Sequence, residues 1–230
     1  MTHAYADVNQ LNPEIAGDGK QRGFRLDRYG ELVVATREGL VDAWTREGRV
    51  FIGANPVIGQ PETMSSTAGT AVTLTDPSIR FTVPSGLVVV PISVTVSAHH
   101  TTAKHAVFSV IATGSDSYTS GGDAVPATVY NALVNSTTVQ RPTAVTKFHY
   151  SDTALVEAAL VGPRLLKTYF KNATATDPTD WVPEYNIMKG DPMVYIKGPG
   201  SFLVWAVEET AAVEAEFTLM WAELESSTVP

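Results

Sequence analysis

The chain has no cysteine among its 230 residues. That absence removes disulfide staples, thiolate metal sites and cysteine nucleophiles together, and leaves the redox compartment open. Charge is sparse too: Asp, Glu, Lys and Arg make up 17% of the chain against a hydrophobic fraction of 44%. This is the balance of a folded protein, and low charge is common where neighbouring subunits cover much of a surface. No apolar run approaches the roughly 20 residues of a membrane span. The first residues, Met-Thr-His-Ala-Tyr-Ala-Asp, lack a basic stretch and an apolar stretch, so no signal peptide is expected. The glycine-rich nucleotide loops, the Gly-x-Ser-x-Gly elbow and the His-Glu-x-x-His zinc motif are all missing. No enzyme activity and no cofactor are expected.

The formal charge of −8 is unevenly placed: residues 1–60 carry 7 basic and 8 acidic side chains, and the remainder 9 and 16. An acidic body repels a phosphate backbone, so nucleic acid is not an expected partner, nor is a membrane. The one basic cluster, Lys20, Arg22, Arg25 and Arg28, is interleaved with Asp18 and Asp27 and reads as a solvated or protein-contacting arm.

What is present is β patterning. The chain from Pro77 to Ala98 reads as two strands around the turn Pro84-Ser85-Gly86. Ile79, Phe81 and Val83 alternate with Arg80 and Thr82. Val88, Val90, Ile92, Val94 and Val96 alternate with Val89, Pro91, Ser93, Thr95 and Ser97. A period of two marks a strand with one buried face, so the valine-rich set is expected inside and Ser93, Thr95 and Ser97 less so. Further strands are expected at 31–36, 49–54, 70–75, 105–113, 127–134, 143–150, 165–170, 193–197, 202–208 and 213–224. Residues 154–161 suit a short helix or a strand. Phe202–Val207 and Val213–Trp221 read as a closing hairpin with Trp205 and Trp221 in the core and Glu214 and Glu216 on the solvent face. The near-repeat Arg37-Glu-Gly-Leu-Val and Arg46-Glu-Gly-Arg-Val reads as two similar turns feeding short strands. At least eight β segments with turn signals between them predict an all-β, antiparallel β-sandwich of jelly-roll type. The Pro-, Gly-, Ser- and Thr-rich stretch at 55–69 divides an N-terminal arm with a short β segment (1–60) from the sandwich domain (70–230).

Candidate chemistry is thin. His99, His100 and His105 lie close together, but no carboxylate is near them in sequence, Asp116 and Asp123 lying on a later loop, so loop histidines are expected rather than a metal site. The run Glu208, Glu209, Glu214, Glu216, Glu223 and Glu225 reads as a solvated acidic face, with calcium bridging the minor alternative. Trp181, in a long connection, suits an interface anchor, core packing or a sugar-stacking platform. Asn135 and Asn172 fit the glycosylation acceptor pattern.

Two stretches carry a resemblance: Pro-Ser-Ile-Arg-Phe-Thr-Val-Pro-Ser-Gly-Leu-Val-Val-Val-Pro-Ile from Pro77, with the closing run to Met-Trp-Ala-Glu-Leu-Glu, and Arg25-Leu-Asp-Arg-Tyr-Gly-Glu-Leu-Val-Val followed by Gly48-Arg-Val-Phe-Ile-Gly-Ala-Asn. In pattern the chain resembles virion jelly-roll proteins of tailed bacteriophages, most of all head decoration (cement) proteins. The resemblance implies a non-enzymatic virion protein on the capsid surface, binding the major capsid protein as an oligomer, often a homotrimer, and stabilising the head. Phe24, Arg25, Arg28, Tyr29, Trp44 and Trp181 are the candidate assembly-interface residues. A tail-associated receptor- or glycan-binding module, using exposed aromatics such as Trp181 or Tyr118, is the runner-up.

Overall fold

The computed structural model describes residues 37–55, 59–63, 73–99, 105–121, 128–133, 148–150, 156–171, 181–208 and 214–226. It is an all-β sandwich with one α-helix among these residues, α1 (Arg37–Arg46). The strands are β1 (Val50–Ala54), β2 (Glu62–Thr63), β3 (Ile79–Val83), β4 (Leu87–His99), β5 (Ala106–Thr113), β6 (Tyr118–Ser120) and β7 (Thr128–Asn131). They continue with β8 (Phe148–Tyr150), β9 (Val156–Glu157), β10 (Arg164–Lys171), β11 (Glu184–Asn186), β12 (Ile196–Lys197), β13 (Gly200–Glu208) and β14 (Glu214–Glu225). One sheet has the order β11-β4-β14-β1-β7, with β12 added to β4 and β2 to β14; the other has the order β10-β5-β13-β3-β8. A two-stranded ribbon, β6-β9, stands apart. Every named strand pair is antiparallel.

The turn Pro84-Ser85-Gly86, with Gly86 at φ +88°, does not make a hairpin. β3 belongs to the second sheet and β4 to the first, so the chain turns a corner from one layer to the other. The expected closing hairpin is also a crossing: β13 pairs with β3 and β5, while β14 pairs with β4 and β1. In both places the alternating apolar faces meet across the sandwich rather than edge to edge, which buries more apolar area per residue than pairing two half-exposed strands. Trp221 is the centre of that core, edge-on to Phe81 at 4.8 Å and tilted against Phe51 at 6.0 Å.

The long strand does bury Val88, Val90, Ile92, Val94 and Val96, and leaves Ser93 and Thr95 partly and Ser97 well exposed. It does so on two faces. The register steps from Met220↔Ser93 to Trp221↔Pro91, leaving Ile92 as an extra residue. Beyond this bulge Val90 and Val88 stand opposite Ala222 and Leu224, whereas Val94 and Val96 stand opposite Leu219 and Phe217. The bulge therefore turns Val88 and Val90 to the outer face, and it accommodates Pro91, which cannot donate to a ladder. α1 covers that face. It touches β1 and the 3-10 turn Ile187–Lys189 after β11, and Val41 and Trp44 pack on the core.

The expectation of two similar turns at 37–41 and 46–50 is corrected here. The first Arg-Glu-Gly opens the helix, whose Leu40, Val41 and Trp44 fall on one stripe. The second ends it: Gly48 at φ +71° lets Arg49 N–H return to the Trp44 carbonyl at 2.9 Å. Residues 73–76 form a turn, with Asp76 N–H on the Thr73 carbonyl at 3.0 Å, not the end of the expected 70–75 strand. Residues 156–157 are a two-residue strand rather than a helix. β1 lies between β14 and β7 and β2 pairs with β14, so both strands belong to the first sheet. Residues 1–36, with the expected strand at 31–36, and both glycosylation acceptors lie outside the described residues.

Candidate functional site

Two groups of side chains stand out, one sealed and one open. The sealed group grows from Arg80. Alternation places Arg80 and Thr82 on the face of β3 turned away from the sandwich, yet Arg80 is only 1% exposed. The β6-β9 ribbon covers it. Arg80 donates to Glu157, Asp116 and Thr82, and at 3.4 Å to Ser201. The Tyr118 ring stacks on the guanidinium at 4.6 Å. Glu157 also accepts from the Ser117 hydroxyl at 2.8 Å. Beside this cluster the same outer face is apolar, with Ile111, Leu203, Trp205 and Val207 buried and Val107 and Leu160 packed on them. The Trp205 indole N–H reaches the Thr73 carbonyl at 3.0 Å. A cation with two carboxylates and a stacked ring resembles the makings of an acid–base site, but Glu157 and Arg80 are wholly buried and bound to each other. The cluster is a clamp that fixes the 114–121 and 156–162 segments over the second sheet.

The open group lies along β10, the end strand of the second sheet among the described residues. Among the described residues β10 is hydrogen-bonded to β5 alone. Its sequence is Arg-Leu-Leu-Lys-Thr-Tyr-Phe-Lys, and a bulge at Leu166 separates Leu165↔Ile111 from Lys167↔Val110. Register places Lys167, Tyr169 and Lys171 on the side facing the first sheet and Leu165 and Phe170 on the other. Leu165 is 61%, Tyr169 47% and Phe170 57% exposed, a high share for large apolar side chains on a strand.

Where β10 faces the lead-in to β11, the two sheet edges frame a cleft of about 440 Å³ lined by Lys167, Tyr169, Lys171, Trp181, Pro183 and Glu184, with Val182 at the rim. Tyr169 stacks on Trp181 at 6.2 Å and 17° between planes. Lys167 is held by both oxygens of Asp191, at 2.9 and 2.7 Å. Glu184 accepts from Lys189 at 2.5 Å and from the Asn186 amide at 2.7 Å. These bonds, the lysine first, hold its carboxyl below the ordinary value of 4.5.

Of the candidate interface residues, Trp44 is half-buried under the sheet and Trp181 is 4% exposed, bridged to Ala98. Trp181 backs the cleft, and the ring it presents is Tyr169. Tyr118 is 38% exposed and bound over Arg80. Phe24, Arg25, Arg28 and Tyr29 lie outside the described residues. Among the three histidines, His105 is partly buried and packs its ring on Phe170 at 5.3 Å. No group of three metal-ligating side chains occurs among the described residues. Glu223 departs from the acidic solvent face: it is 8% exposed and accepts from the Trp221 indole at 3.2 Å. Sequence reasoning missed β10 as a site. Its signal was there in the three cations on eight residues without an acid, in a chain of net charge −8. No helix among the described residues is long and apolar enough to cross a membrane. Neither protein-family models nor curated protein sequences give a match to this chain.

Proposed function

We propose that this protein is a structural component of a phage particle, a capsid decoration (cement) protein that binds the outer head as an oligomer and stabilises it. The observation that carries the reading is the strand β10, which ends its sheet among the described residues and exposes Leu165, Tyr169 and Phe170. An open sheet edge lined by large apolar side chains suits contact with other chains. Many modest contacts of this kind, repeated over a lattice, give avidity without one strong site. The passage of consecutive strands β3, β4 and β5 between the two sheets supports the jelly-roll form of the sandwich. The major capsid protein and further copies of the chain are the partners this reading implies.

The test is the mass of the purified protein by native mass spectrometry, together with electron microscopy of particles that carry it. A trimer or other closed oligomer seated on the head supports the reading. A monomer that locates to the tail, or to no part of the particle, overturns it. The cleft favours one second reading, a glycan-binding tail module, because Tyr169 offers a ring backed by Trp181 and flanked by Lys167. A glycan-array signal that disappears in Tyr169→Ala would favour that module over the decoration protein.

A further inference from the structure

We infer that the cleft between β10 and the lead-in to β11 is a subsite for an uncharged sugar ring, with Tyr169 as the stacking platform and Glu184 as the acceptor for sugar hydroxyls. This rests on the second reading above, whose cleft it uses, and names the class of glycan that the cleft takes.

The first argument is the platform. Tyr169 is held against Trp181, with ring centroids 6.2 Å apart and 17° between the planes. Trp181 is itself fixed: it is 4% exposed and exchanges backbone hydrogen bonds with Ala98 at 3.0 and 3.1 Å. Yet Tyr169 stays 47% exposed in the wall of the cleft. A ring braced by a buried neighbour and still open to solvent loses little freedom when a ligand settles on it. The C–H-bearing face of a pyranose is apolar and suits such a ring.

The second argument is the polar lining. Glu184 supplies its carboxylate. One oxygen accepts from the Asn186 amide at 2.7 Å and the other from Lys189 at 2.5 Å. A carboxylate has about four acceptor sites, so each oxygen keeps a lone pair beyond those bonds, and the side chain is 27% exposed. Two acceptors on one group held in place from behind match a pair of neighbouring sugar hydroxyls.

The third argument is charge. Lys167 is held by both oxygens of Asp191 at 2.9 and 2.7 Å, Lys189 is held by Glu184, and Lys171 is engaged within the protein as well. An anionic sugar would have to break one of these contacts to find a cation, and would meet the Glu184 carboxylate at close range. An uncharged sugar breaks none of them. The cleft volume of about 440 Å³ falls in the lower part of the roughly 300–1,000 Å³ span of small-ligand clefts, which suits a short saccharide.

The experiment uses the full chain and saturation-transfer NMR. The uncharged probes are the methyl glycosides of glucose, galactose, mannose, rhamnose, N-acetylglucosamine and N-acetylgalactosamine. The charged probes are the methyl glycosides of sialic acid and galacturonic acid, and a proline decamer stands for a peptide ligand. The expected result is transfer to at least one uncharged glycoside, with affinity weakened about tenfold or more in Tyr169→Ala and also reduced in Glu184→Gln. Amide shifts of the unmutated protein should move at residues 167–171 and 181–186 when that sugar binds, which decides the matter even where a variant fails to fold. No transfer to any uncharged glycoside at tens of millimolar overturns the inference. So does equal binding by a folded Tyr169→Ala variant, equal or stronger binding of the charged glycosides, or amide shifts at the cleft with the proline decamer and with no sugar. The two proposals fail separately. Sugar capture in the cleft by a protein seated on the head removes the tail-module reading alone. A glycan bound equally by a tail-borne protein and by its folded Tyr169→Ala variant removes the cleft assignment alone.

Discussion

Arg80 offers the sharpest test of how this sandwich is held together. Its guanidinium is 1% exposed and pairs with Glu157, whose side chain is fully buried, and with Asp116, whose side chain is 42% exposed. Arg80→Leu takes away the only cation in the cluster and strands Glu157, with the Ser117 hydroxyl as its remaining partner among the contacts described. Breaking a buried pair by removing one member costs about 3–5 kcal/mol, because the other charge stays desolvated and unpaired. Glu157→Gln is the milder change. It leaves the guanidinium with Asp116, Thr82 and the Tyr118 ring, so about 2 kcal/mol is expected. Arg80→Leu combined with Glu157→Leu should lie within about 1–2 kcal/mol of the parent, since apolar side chains can replace a buried pair at little net cost. For a domain of this size each kcal/mol moves Tm by about 2–4 °C, so Arg80→Leu should lower it by about 10 °C. Urea unfolding followed by tryptophan fluorescence gives all three values. The reasoning is refuted if Arg80→Leu costs less than about 1 kcal/mol, if Glu157→Gln costs more than Arg80→Leu, or if the double variant loses as much stability as Arg80→Leu alone.

Three further outcomes are expected. Gly198→Ala should cost about 3 kcal/mol or more, because a Cβ there would stand 1.8 Å from the Pro84 carbonyl oxygen at the corner between β3 and β4; thermal melting reads it, and a loss below about 1 kcal/mol would mean the corner yields freely. Trp44→Ala should cost about 2–3 kcal/mol by removing a ring packed against the buried core cluster, with raised dye binding to exposed apolar surface and faster hydrogen exchange in 37–46. Glu184 has a folded pKa held below 4.5 by Lys189 and then Asn186. The stability it adds is therefore complete above pH 4.5 and lost as pH falls through the lower folded value. Glu184→Gln should flatten the acid limb of stability in that window and leave neutral pH little changed, as denaturant midpoints from pH 7 to pH 3 would show.

By itself the sequence determined the class of fold and most of the core. Period-two alternation marks β3, β4, β13 and β14 as strands, and the residues it places inside, from Phe81 to Trp221, are buried. That is local physics: a strand shows its buried face in every second residue. Which strand lies beside which was a matter for the tertiary structure. Both sequence-adjacent pairs that read as strand-turn-strand units cross between sheets, because periodicity reports that a face is buried and not what buries it. The bulge at Ile92 sends half of one valine run to the opposite face, and only the facing strand β14 reveals it. Arg80 sits at a position where alternation implies solvent, and the β6-β9 ribbon, distant in sequence, encloses it. β10 looked like any other short strand. Its place at the end of the sheet order among the described residues, a non-local fact, is what leaves Leu165, Tyr169 and Phe170 exposed.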